Sequence, residues 1–451
     1  MKKLWLIFYL LYSLNTGAQS VTRSSAIVSG PMLGQVELRT ASVWLQVSPE
    51  VKSVSVIYWK KDHPESVEEK KYTGVLGNEF NPIQIEIGGL DFNTRYEYQF
   101  ILDKLKSAAR GSFITKDLWQ WRKPAPDFSF LTGSCAYFNE AVYDRPGKPY
   151  GGDPAIFESM AREPAAFMVW LGDNWYTREA DYGSAWGLWY RASHDRAQPA
   201  LRNFWKSMPQ YAIWDDHDYG PDNSDGSYGL KDVSLEIFKR YWSNPSYGQD
   251  GKGIYSQISY GDVDVFLTDD RYFRSSDDLD DNVGGNPNPE KHFFGKKQLD
   301  WLEDALMQSS ASFKIIAVGS QALNPLSREE CLHNYSFEFH NLMQFLDRQK
   351  VRGVVFLTGD RHHSEIIKFE RPGNYALYDV TTSPFTSGIA RVEGAEINNP
   401  YRVEGSLVQE RSYAKFIIAG KKNERILTVE FHGLDGNKLI SWSISEKQLT
   451  P

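Results

Sequence analysis

Between residues 128 and 363 the chain repeats one pattern: a short apolar run of strand length, followed at once by Gly, Asp, His or Cys. Phe128-Ser129-Phe130-Leu131-Thr132 leads into Gly133-Ser134-Cys135, and 166–171 leads into Gly172-Asp173. Residues 210–214 lead into Asp215-Asp216-His217-Asp218, and 263–268 into Asp269-Asp270-Arg271. Residues 314–318 end in Gly319-Ser320, and 354–358 in Gly359-Asp360-Arg361-His362-His363. Stretches with helical spacing lie between them, at 157–160, 186–205, 234–241, 298–307 and 338–348. This alternation specifies an α/β sheet covered by helices. In such sheets ligands bind in the crevice outside the carboxyl ends of the strands. Core packing gives no reason to place acids and imidazoles there repeatedly, so these residues read as a site.

The flanks differ. Residues 22–117 read as all-β, with strands near 41–47, 54–59 and 83–87; in the last, Ile83, Ile85 and Ile87 share one face. Gly89-Leu90, a turn, then Tyr96-Glu97-Tyr98-Gln99-Phe100 resembles the tyrosine corner of fibronectin type III and immunoglobulin-like sandwiches. Pro124 and Pro126 mark a linker. After residue 412 the chain is β-rich again, with a hairpin expected at Asp435-Gly436. The acidic segment 277–289 is expected to be solvated and mobile. The chain is therefore expected to be multi-domain: a signal peptide over 1–18, a β-sandwich over 22–117 and an α/β unit over 125–451.

That signal is read from Lys2 and Lys3, the apolar run 4–14, and Thr16-Gly17-Ala18 before a cleavage point at Gln19. The apolar run is short for a bilayer span, and no later segment is long and apolar enough, so a secreted or periplasmic protein without a stable membrane span is expected. No twin-arginine pair is present, which points to general secretory export in the unfolded state. Two cysteines, Cys135 and Cys331, rule out a disulfide framework; Cys331, in Arg328-Glu329-Glu330-Cys331-Leu332-His333, reads as structural. A net charge of −8 without a long basic run argues against specific nucleic-acid binding. A monomer is expected.

Cys135, Asp173, Tyr176, Asp215, Asp216, His217, Asp360, His362 and His363 form a mixed donor set. Carboxylates suit hard cations, whereas imidazole, thiolate and phenolate suit iron or zinc. Two ions ~4 Å apart can clamp a phosphate, activate a water and stabilise a departing oxygen.

The residues also carry a family resemblance. Gly172-Asp173-Asn174-Trp175-Tyr176 resembles the Gly-Asp-x-x-Tyr pattern of calcineurin-like metallophosphoesterases with a tyrosinate ligand, such as purple acid phosphatases. The ordered set is similar to PhoD-type alkaline phosphatases, which also cleave phosphodiesters. It comprises 133–135, 172–176, Trp214-Asp215-Asp216-His217-Asp218, 268–274, 359–363 and Thr381-Thr382-Ser383-Pro384-Phe385-Thr386-Ser387-Gly388. The resemblance implies a four-layer αββα metallophosphatase sandwich behind the N-terminal immunoglobulin-like domain. It implies Cys135 and Tyr176 as thiolate and phenolate ligands of Fe(3+), and Asp173 as the bridging carboxylate. Asp216 is implied as a ligand of a second, harder ion, Ca(2+), and Asp360 and His362 as further metal ligands. Zn or Mn are alternatives, since metals are acquired after export. His217 is similar to a residue that contacts phosphate or protonates the leaving alkoxide. Arg271 and Arg361 are candidates to grip phosphate oxygens, although Arg271 equally suits pinning the Asp269/Asp270 loop. Asp215 and His363 are expected beside the ligands rather than among them. The expected activity is hydrolysis of small-molecule or polymer phosphate mono- and diesters by a metal-activated water. The competing class is a surface-binding β-sandwich protein carrying a degenerate phosphatase scaffold.

Overall fold

The computed structural model describes residues 26–327 and 330–451; the expected signal peptide lies outside the described residues. Two antiparallel sheets form the N-terminal unit. One contains Ile27–Val36, Thr40–Val47 and Asn81–Gly88; the other contains Glu68–Lys71, Val54–Lys60, Arg95–Leu102 and Leu105–Ile114. Their facing sides bury Val43, Leu45, Val56, Ile83, Ile85, Tyr98 and Phe100, while Gln84 and Glu86 point to solvent. This is the period-2 alternation of half-buried strands. Tyr96 Oη accepts a hydrogen bond from the Asp91 N–H at 3.0 Å, fixing the corner before its strand.

The outer face of the first sheet is not solvated. Met32 and Trp44 belong to the core of the larger unit. Trp44 Nε1 donates to the Arg240 carbonyl at 2.8 Å. The Arg196 guanidinium, from a helix of the larger unit, lies 4.9 Å from the Trp44 ring, 4.4 Å from Trp205 and 4.1 Å from Trp242.

The larger unit has two six-stranded sheets. The first runs Gln210–Ile213, Met168–Leu171, Phe128–Gly133, Ser412–Ala419, Ile426–Gly433 and Lys438–Ser445. Its first three strands are parallel, and the C-terminal segment extends it antiparallel. The second runs Ser256–Tyr260, Val263–Leu267, Phe313–Val318, Val354–Thr358, Leu377–Thr381 and Glu365–Phe369. Its inner four strands are parallel. One apolar core joins both sheets and the helices on them. Ser336–Arg348 shows why a helix forms there: Phe339, Leu342, Met343 and Leu346 recur at helical spacing and are buried.

Two expectations change. The helix expected over 186–205 is broken into Ala185–Arg196 and Leu201–Phe204, with Pro199, which has no N–H to donate, between them. The acidic segment after 277 is largely exposed, as expected, but it is fastened rather than loose. Asp277 accepts from Arg274 Nη2 and Tyr335 Oη, and Asp281 accepts from the Ser336 N–H and hydroxyl. Asn282–Val283 and Asn286–Pro287 pair as a short hairpin directly after Asp281.

Candidate metal centre

The carboxyl ends of neighbouring strands deliver the expected ligands to one place. Cys135 follows Phe128–Gly133, Asp173 and Tyr176 follow Met168–Leu171, and Asp360 and His362 follow Val354–Thr358. Asp216 and His217 open the short helix Asp216–Tyr219 after Gln210–Ile213. Cys135, Asp173, Asp360 and His362 all have positive φ, at 65°, 51°, 67° and 56°. Non-glycine residues adopt this conformation at a cost, and such strain collects at functional sites. Asn174 Nδ2 donates to the Ile213 carbonyl and to Asp218, tying the loop of Asp173 to the loop of Asp216. The 381–388 segment wraps Cys135: Phe385 N–H donates to the Ser134 carbonyl at 2.9 Å, and Ser383 Oγ to Cys135 Sγ at 3.1 Å.

Cys135 Sγ lies 3.6 Å from Asp173 Oδ2 and 3.5 Å from the Asp360 carbonyl. Tyr176 Oη lies 3.2 Å from His362 Nε2. Cys135, Asp173 and His362 present donor atoms all within 4.8 Å of one another, and so do Asp173, Asp216 and His217. Asp173 is common to both groups. It lines a cleft of about 940 Å³ together with Asp216, His217, Asp360, Arg361 and His362.

The electrostatics of this cluster ask for cations. Burial, then Asp216 and Cys135, push the Asp173 carboxyl well above its usual range. Burial, then Asp360, raise the Cys135 thiol to about 11. Burial, then Glu330 and Asp216, raise Asp360 to about 7. Burial, then Asp173, push the Tyr176 phenol well above its usual range. Asp216 goes the other way: burial alone would raise it, but His217, Arg271 and the Asn223 N–H outweigh that and bring it to about 2. Burial lowers the His362 pKa, which favours the neutral, ligating imidazole. Buried acids, a thiol and a phenol that drive one another toward neutrality are stabilised as anions by bound cations. The donor set therefore fits bound cations, and Asp173 belongs to both donor groups.

The other expected residues fall in different places. His217 lines the cleft, its Nε2 3.4 Å from Asp222 Oδ1 and its ring 4.2 Å from that of Tyr176. Arg361 also lines it, with Nη1 donating to Ser327 Oγ at 3.0 Å and Nη2 to Glu396 at 2.9 Å. Arg271 is a correction. It is fully buried, and its guanidinium is taken up by Asp215, Glu330 and Ser320 rather than turned to the cleft. Its backbone N–H donates to Asp269 Oδ1, but the guanidinium bonds neither Asp269 nor Asp270. Asp215 is thus the partner of Arg271. His363 points away from His362 and lies 3.5 Å from Glu365 Oε1. Cys331 is buried and, like Cys135, free.

Three residues escape sequence reasoning. Tyr150 Oη sits 3.0 Å from His362 Nδ1. Glu330 groups with Asp215 and Asp216. Ser383 contacts the Cys135 sulfur. Tyr150 and Glu330 lie in irregular segments with no strand-end signal. Ser383 lies in a motif that stands out in the sequence but whose role does not.

Known proteins match this arrangement. The sequence model of the PhoD-like phosphatase family matches residues 130–435. Alkaline phosphatase D of Bacillus subtilis (strain 168) is 25% identical over 331 residues, covering 62% of this chain and 53% of that protein. The chain thus matches about half the length of this curated relative. A solved structure of PhoD superposes with a TM-score of 0.76 at 16% identity, covering 95% of this chain and 92% of that one. A purple acid phosphatase from yellow lupin (Lupinus luteus) seeds superposes at 0.62 and 12% identity, covering 92% and 74%. These two likenesses show the metallophosphatase fold.

Proposed function

Because the chain belongs to the PhoD-like phosphatase family, we propose that it is a metal-dependent hydrolase of phosphate mono- and diesters. The observation that carries this reading is Asp173, shared by two donor groups at the floor of a polar cleft. Cys135, Tyr176, Asp173 and His362 would hold Fe(3+), and Asp216 and Asp360 would supply oxygen ligands to a harder Ca(2+), with Zn or Mn as alternatives. Cations held there would supply positive charge to the phosphoryl oxygens and lower the pKa of a water.

The chain's own groups do the rest. His217, in the cleft wall with its ring tilted against that of Tyr176, is placed to give a proton to the leaving oxygen. Arg361 presents a guanidinium to the cleft, and Ser327 and Glu396 fix its orientation for phosphate oxygens. Arg271 acts at a distance by holding Asp215, which lies next to Asp216. The cleft is much wider than one phosphate, so esters with sizeable polar substituents fit as well as small ones. Among the described residues no helix is long and apolar enough to cross a membrane. The assignment to the periplasm or the exterior rests on residues 1–18 alone.

The test is Asp173→Ala, assayed on p-nitrophenyl phosphate and its bis ester across a panel of iron, calcium, zinc and manganese. Losing the shared carboxylate is expected to lower kcat/KM by about 10³-fold or more, consistent with the several kcal/mol a metal supplies. Wild-type inactivity on both esters with every metal would overturn the reading.

A further inference from the structure

Tyr150 enters the cleft from a loop with no sequence signature. The loop is fastened at the two residues that follow the tyrosine. Gly151 N–H donates to Asn139 Oδ1, and Asn139 Nδ2 to the Gly151 carbonyl, each at 2.9 Å. Gly152 N–H donates to the Thr386 carbonyl at 2.6 Å. The Tyr150 ring lies 4.9 Å from Tyr137, 6.4 Å from Tyr176 and 5.9 Å from His362. It rests on Gly388, where an added Cβ would come within 2.5 Å of Tyr150 Cε2. A side chain at 388 would lift the phenol from its seat. From that seat Tyr150 Oη reaches His362 Nδ1 at 3.0 Å, while His362 Nε2 faces Tyr176.

We propose that Tyr150 is a positioning residue whose phenolic oxygen accepts the Nδ1–H of His362 and so fixes Nε2 as the lone pair presented to Cys135, Asp173 and Tyr176. The proposal rests on the reading of His362 as a metal ligand. A neutral imidazole carries one proton, and the hydrogen bond at one nitrogen decides which nitrogen is left to ligate. The usual acceptor is a carboxylate or a carbonyl, and here the Gly388 backbone also bonds the imidazole, beside the tighter 3.0 Å contact of Tyr150 Oη with Nδ1. A phenol differs in keeping an O–H of its own. With its oxygen already accepting from His362, Tyr150 directs that O–H into the cleft it lines, where a phosphate oxygen can accept it. One side chain thereby couples ligand orientation to substrate contact.

Tyr150→Phe removes the oxygen and keeps the ring on Gly388. Wild-type and variant holoenzymes are dialysed against graded EDTA, and iron, zinc, manganese and calcium are counted per chain. The variant is expected to release metal at about 10–100-fold lower chelator, the usual cost of losing a histidine's outer partner. The melting temperature of the metal-free protein is expected to stay the same. Gly388→Ala displaces the ring by a separate route and is expected to weaken retention equally. Wild-type retention in Tyr150→Phe overturns the proposal, whatever Gly388→Ala does, because packing rather than the oxygen would then be at work. A wild type that binds metal and cleaves both esters keeps the functional reading intact in that event. A wild type that does neither overturns the functional reading itself.

Discussion

At the scale of single residues, the ground beneath the site is a set of buried charges that hold one another. Glu365 shows the balance. Burial raises its pKa, but His363 and Arg402 outweigh that and bring the carboxyl down to about 2. Arg402 Nε donates to Glu365 Oε2 at 2.6 Å, and Gln321 Nε2 to Oε1 at 2.9 Å. Because the folded pKa is depressed, this stabilisation is present above pH ~4.5 and is lost as the pH falls from there to about 2. Glu365→Gln is expected to cost roughly 3 kcal/mol at pH 7, since it leaves Arg402 buried without its counter-charge. The same variant should also flatten the fall in stability between pH 4.5 and 2, read by urea unfolding across that range.

At the scale of elements, the strands Phe128–Gly133, Met168–Leu171 and Val354–Thr358 each lead into a backbone conformation that ordinary residues avoid, and the approach of neighbouring loops explains why. Gly172 has φ 93°, and an added Cβ there would lie 2.5 Å from Asp215 Cβ and 2.6 Å from Asp215 N. Gly172→Ala is therefore expected to destabilise by about 2–4 kcal/mol through strain and overpacking. It should also separate Asp173 from Asp216, and calorimetry together with metal content would read both effects. The strand ends were legible in the sequence because an apolar run followed by Gly-Asp or Asp-Asp-His is a local pattern. Their convergence was half legible. Cys135, Asp173, Asp216 and His362 meet as expected, whereas Arg271 turns inward to Asp215 and Glu330. Sequence order cannot say which way a guanidinium turns, because the choice depends on which carboxylates the fold buries beside it. The break at Pro199 and the fastening of the acidic segment by Arg274, Tyr335 and Ser336 likewise depend on partners distant in the chain.

At the scale of the whole molecule, the N-terminal sheets are not an independent attachment. Trp44 alternates with Val43 and Leu45, which serve the sandwich core, and points instead into the larger core against Tyr241 and Arg196. Arg196 is fully enclosed among Trp44, Trp205, Tyr241 and Trp242, and burial brings its pKa down to about 9. The rings thus take the place of an anion in holding this cation. Trp44→Ala is expected to cost about 3–5 kcal/mol and to split one calorimetric unfolding transition into two, the sandwich melting first. A single transition at the wild-type temperature would show that the seam contributes nothing.

The sequence by itself determined the class of each unit, the strand ends that carry chemistry and the family pattern. All of these are written in local periodicity and in short motifs. Tertiary structure decided which acids face a cleft and which face an arginine, that Tyr150 reaches His362, and that Trp44 belongs to the neighbouring core. The physical reason is the same in each case. A side chain's partner is fixed by burial and by approach across the fold, and neither is encoded in the residues next to it.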